Sequence, residues 1–194
     1  MNKEFEKGLL FAGLGSFFWG FFGVLYFKYI SHIGHIELVI HRCLWTTFTL
    51  IITTSFFSKW KIFFEVIKNK KNLIFLFFSG ILIFINWAVW IYAIAIDKII
   101  DASFGYFIMP ILSVLLGYIF FKEKLNKRRI FSIILVIISI LYLIIVSFKS
   151  LPWVGLIVAF SWAFYNPIRK KINVDTDIGL LIESLYILPY ALIT

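Results

Sequence analysis

Apolar residues gather in seven long runs divided by short polar breaks. The runs cover residues 9–30, 38–57, 73–96, 103–121, 130–148 and 152–168, and a seventh opens at Ile178 and is still apolar at Thr194. A helix rises 1.5 Å per residue, so roughly 20 apolar residues cross a hydrocarbon core about 30 Å thick. The pattern predicts an all-α polytopic bundle with seven transmembrane helices. The breaks are too short to hold an extramembrane domain, so function must reside among the helices.

Basic residues alternate with the runs. Lys3 and Lys7 precede the first. Lys59, Lys61, Lys68, Lys70 and Lys71 follow the second, and Lys122, Lys124, Lys127, Arg128 and Arg129 follow the fourth. Arg169, Lys170 and Lys171 follow the sixth. The opposite side holds Lys28, Lys98 and Lys149. This asymmetry predicts a cytoplasmic N-terminus. It also supports the count of spans, because a missed helix would scramble the alternation.

Composition agrees. The 194 residues are 62% hydrophobic and 15% charged, with mean hydropathy +0.97, whereas a soluble domain carries about 25% charged residues. The net charge of +9 does not point to nucleic acid, because its residues lie in short loops between spans. The lone Cys43 leaves no disulfide framework within the chain and argues against a cysteine metal site. The first run is too long for the core of a cleavable signal. No Ser–His–Asp set, HExxH, CxxC or phosphate-binding loop occurs, and His32 and His35 have no metal-ligand set around them. No catalytic residue, metal or cofactor is expected.

The chain carries an internal echo. Phe17, Trp19, Phe21 and Lys28 match Phe160, Trp162, Phe164 and Lys171 at an offset of 143, and Ile36, Leu38 and Ile40 match Ile178, Leu180 and Ile182 at an offset of 142. Five helices separate the copies, so the second is upside down. Inverted repeats mark secondary transporters with a midplane site at the repeat interface. The expected organisation is a five-helix repeat over residues 1–150 and the start of a second, truncated one over 151–194. That makes seven helices of an expected ten.

Polar residues inside the runs are the candidates for function, since a charge in hydrocarbon costs roughly 2.5–3.5 kcal/mol on insertion scales. Arg42 lies a few residues below the outer boundary, with His41 beside it. Glu37, His41 and Trp45 share one face. This cluster reads as an outer binding or gating site in which Arg42 attracts an anionic group, or else Arg42 snorkels to the headgroups. Asn86 falls mid-membrane, where an amide binds substrate or joins helices. Trp90 and Tyr92 read as part of an outer aromatic belt. Pro110 should kink the fourth span and free the carbonyl of Tyr106, and Asn166 with Pro167 marks a similar break in the sixth. Glu183 reads as a proton-coupling carboxyl or a structural hydrogen-bonding group. Ala12, Ser16 and Gly20 read as a packing stripe, and the uncharged fifth span as a peripheral, lipid-facing helix.

Five stretches carry a family likeness. They are His41-Arg42, Asn86-Trp87, the AlaSerPheGlyTyrPheIleMetPro of residues 102–110, the PheTyrAsnProIleArgLysLys of residues 164–171, and the IleGlyLeuLeuIleGluSer of residues 178–184. Together they resemble the RarD-type branch of the EamA permeases, in the drug/metabolite transporter superfamily. Glu123 stands where the wider family commonly places a Glu. The resemblance implies ten helices in two inverted halves, a bacterial inner membrane, and a permease for a small metabolite or drug-like compound. Substrate would sit near Asn86 and Tyr106, with Arg42 and His41 shaping the outer half and Glu183 the inner. The expected partners are that substrate and the lipid bilayer, with homo-oligomerisation left open. The rival reading is a non-transporting membrane interaction protein or degenerate fragment of such a permease. It is distinguished by whether the reading frame continues beyond Thr194.

Overall fold

The computed structural model describes residues 3–148 and 152–193. Lys149, Thr194 and the expected repeat boundary at 150/151 lie outside the described residues. The fold is all-α, with no strand among the described residues. The first span is α1 (Lys3–Phe17), a π-helical turn (Phe18–Gly23) and α2 (Val24–Tyr29) in series. Then come α3 (His35–Phe56), α4 (Trp60–Lys68), α5 (Lys70–Ala95) and α6 (Ile99–Phe121). The chain continues through α7 (Lys127–Leu143), extended by a π turn (Ile144–Phe148), to α8 (Trp153–Ile172) and α9 (Thr176–Ile193). Among the described residues, the segments Glu4–Tyr29, His35–Phe56, Lys70–Ala95, Ile99–Phe121 and Lys127–Val146 are long and apolar enough to cross a membrane. The sixth and seventh apolar runs form helices α8 and α9, which are not among those five.

Local chemistry sets the boundaries. The Asn69 side chain caps α5 by accepting from the Lys71 and Asn72 amides, and Asn126 caps α7 through the Arg129 amide. Left-handed residues follow four helices, Ser58 after α3, Asp97 after α5, Lys122 after α6 and Asn173 after α8. The α4 helix was not expected from the hydropathy pattern, because its lysines read as loop. It is amphipathic, and its Val66 joins Leu76, Ile178 and Ile182 in a buried cluster.

In the bundle, α8 packs against α5 and α6, while α9 packs against α3 and α5. Glycine permits these approaches. A Cβ on Gly105 or Gly155 would collide with backbone of the facing helix, and one on Gly80 would lie 3.3 Å from the Glu183 carbonyl. As expected for a peripheral helix, α7 contains no buried residue. The stripe on α1 is a correction. Ala12, Ser16 and Gly20 are exposed, and a Cβ on Gly13, Gly15 or Gly20 would meet nothing within 4 Å. Small residues allow close packing but do not create it, and the first span meets the bundle instead through Trp19, Val24 and Phe27.

Candidate functional site: an aromatic cavity between the helices

Six elements converge on a cavity of about 640 Å³, a size suited to a small organic ligand. The π turn contributes Trp19, α3 Arg42, and α5 Asn86, Trp87 and Trp90. Opposite stand Tyr106 of α6 and one face of α8, with Thr176 and Leu180 of α9 closing the floor. The α8 face is Trp162, Tyr165, Asn166 and Arg169, a helical spacing that turns all four the same way. Trp162 stacks on Tyr165 with centroids 5.1 Å apart, and Trp19 lies 5.0 Å from Trp90. The walls are largely aromatic, and among the described residues the lining includes no Asp or Glu.

Arg42 turns inward rather than snorkelling. Its guanidinium carbon lies 4.2 Å from the Trp87 ring centroid, 4.8 Å from Trp19 and 5.8 Å from Phe27, all within cation–π range. One of its Nη atoms is buried without a hydrogen-bond partner. The neighbouring Glu37 and His41 do not enter this cavity. They face each other at 3.8 Å with both side chains more than half exposed. His41 borders a second, more open hollow of about 570 Å³ that shares Arg42 and Leu180 with the first. Successive helical residues point about 100° apart, which separates His41 from Arg42.

Asn86 is 4% exposed and donates to the Val158 carbonyl at 3.1 Å and to Ser161 Oγ at 3.0 Å. The amide therefore ties α5 to α8, and the residue also lines the cavity. Tyr106 lines the cavity while remaining 37% exposed. Trp90 corrects the expected aromatic belt. It is 5% exposed and belongs to the cavity wall, because its ring meets Trp19 and Phe27 instead of headgroups.

Glu183 lies behind the wall, fully buried. It accepts hydrogen bonds from Ser79 Oγ of α5 and from Tyr165 Oη of α8 at 3.1 Å, and Arg169 Nε stands 3.6 Å from it. Arg169 also donates to the Asp175 and Thr176 carbonyls, and its other Nη is buried without a partner. The charge pattern places Arg169 in a loop and gives no sign of Ser79 or Tyr165. The spacing of 162, 165, 166 and 169 was the available signal for the α8 face.

Pro110 and Pro167 lie within α6 and α8, and neither helix ends or is broken there. A proline removes one ladder bond, and the packed turns on either side hold the helix through it. Pro110 borders a hollow against α7 with Tyr106, Arg128 and Arg129. Glu123 pairs with Lys170 at 3.0 Å, joining the end of α6 to α8.

Residues 6–145 match the EamA-like transporter family. The chain is 35% identical over 191 residues to Protein RarD of Salmonella typhi and to Protein RarD of Escherichia coli, covering 98% of this chain and 64% of each relative. It is 36% identical over 196 residues to the uncharacterized transporter YojE of Bacillus subtilis, again covering 98% of this chain and 64% of that protein. The chain thus spans under two thirds of the length of these relatives. No solved structure matches it. With the family match covering well over half of the chain, including the α3, α5 and α6 walls of the cavity, the chain belongs to the EamA-like transporter family.

Proposed function

We propose that this chain forms the substrate-bearing part of a secondary permease for a small metabolite or drug-like compound, working by alternating access in a bacterial inner membrane with the N-terminus in the cytoplasm. The observation that carries the reading is the aromatic cavity, which gathers Arg42, Asn86 and Tyr106 from three helices. The repeat supports it further. Trp19 and Trp162, matched at the offset of 143, both line that cavity, as an inverted pair around a shared site would. Ion pairs tie the helices near both ends, Lys28 with Asp97 and Lys59 with Asp175 and Asp177. Such contacts suit gates that break in turn. The transporter names of the relatives agree, and the surrounding bilayer accounts for the exposed apolar faces of α1 and α7.

The test is flux in proteoliposomes of full-length protein against a broad metabolite panel. Saturable, substrate-dependent uptake or counterflow that is lost in Trp162→Ala is the expected result. Absence of both flux and binding across the panel overturns the reading.

A further inference from the structure

Resting on the permease reading, we infer that Arg42 is the anion-binding group of the cavity, and that the compound it takes is a small organic carboxylate with a flat apolar body and no cationic group. Arginine stays charged under all ordinary conditions. Trp87 and Trp19 cover its guanidinium carbon at 4.2 and 4.8 Å, yet one Nη has no hydrogen-bond partner. Stacking and hydrogen bonding use different parts of a guanidinium. The rings take the face, whereas the N–H donors lie in its plane. A carboxylate binds in that plane through two parallel hydrogen bonds, so it completes the stacked arrangement without displacing either tryptophan.

Charge bookkeeping selects the sign of the ligand. The cavity lining includes two cations and no carboxylate. Arg169 is matched by Glu183. Glu37, the nearest carboxylate along α3, faces His41 at an exposed position. Among the described residues, Arg42 therefore leaves one positive charge uncompensated at membrane depth, where an anionic ligand stabilises it and a cation is repelled. An ammonium on the ligand would find no carboxylate on the lining, which disfavours zwitterions. The flat faces of Trp87, Trp90 and Trp162 suit a planar apolar body.

The test uses the chain purified in dodecyl maltoside, whose micelles carry no lipid phosphate, and calorimetric titration. The probes are benzoate, phenylacetate, 3-phenylpropionate and indole-3-carboxylate, the amide of each, phenylalanine and phenethylamine. At least one acid should bind tenfold or more tightly than its amide and than phenylalanine or phenethylamine. R42Q should erase that preference, and R42K should keep part of it, with helix content by circular dichroism unchanged in both. Repeating the titration with added phosphatidylglycerol distinguishes a headgroup anion, which would compete with the acid; loss of binding to that competitor at stoichiometric lipid assigns the site to lipid and overturns the inference. Amides binding as tightly as acids, or a preference that survives R42Q, also overturns it while leaving the permease reading intact. Failure of every acid to bind overturns the inference, while the permease reading stands or falls on the flux assay with full-length protein.

Discussion

Glu183 shows how far one residue's surroundings decide its role. It is a fully buried carboxyl on an apolar helix, and Ser79, Tyr165 and Arg169 surround it. Removing one partner of a buried pair leaves an uncompensated charge, which costs about 3–5 kcal/mol. Glu183→Ala is expected to lose that much in reversible unfolding in detergent, and adding Arg169→Met should recover most of it. A loss under about 1 kcal/mol would remove the pair from the account of stability. Asn86 makes weaker, neutral bonds to Val158 and Ser161. Asn86→Ala should cost about 1–2 kcal/mol in the same measurement.

Elements in this bundle differ in how much shape they demand. At the crossing of α6 and α8, Gly105 and Gly155 bring backbone against backbone. Gly155→Ala must push the helices apart and should cost about 1–3 kcal/mol. On α1 the same substitution meets open space. Gly13→Ala should leave this chain unchanged or stabilise it by about 0.5–1 kcal/mol, because alanine restricts the unfolded chain more than glycine does. Comparing the two variants by thermal unfolding tests the contrast directly. Equal losses at both sites would mean that α1 packs as closely as α8.

Across the whole molecule, Lys59 joins the α3–α4 junction to the start of α9, through Asp177 at 2.7 Å and Asp175 at 3.4 Å. The Lys59 ammonium is held above its ordinary range, chiefly by its hydrogen bond to Asp177. At Asp177, burial opposes the charged form, but the bonds from Lys59 and the Ile178 amide outweigh it and bring the carboxyl below its ordinary range. The depressed acid contributes stability above its unfolded value near 4, lost as pH falls through the folded value. The raised base contributes below its unfolded value near 10.4, lost as pH rises through the folded one. The difference in melting temperature between the chain and Lys59→Ala should therefore be flat between roughly pH 4.5 and 10 and shrink on either side. It should also shrink in high salt, since these groups are partly exposed. A difference that persists unchanged at pH 2.5 would show that the pair is not its source.

Hydropathy alone determined the all-α membrane class and the approximate position of each apolar helix, because transfer from water into hydrocarbon is a property of a segment that needs no knowledge of its neighbours. Arg42 and Asn86 could be picked out on the same ground, as polar groups that must find something to meet, whereas Tyr106 came forward through the carbonyl that Pro110 should free. Which face of each helix turns inward was decided only in three dimensions. Between helices already in lipid, burial supplies no sorting force, and shape and hydrogen bonding take over. That is why Trp90 left the belt for the cavity, why Arg169 left the loop for Glu183, and why the small residues of α1 stayed open while Gly105 and Gly155 closed on each other.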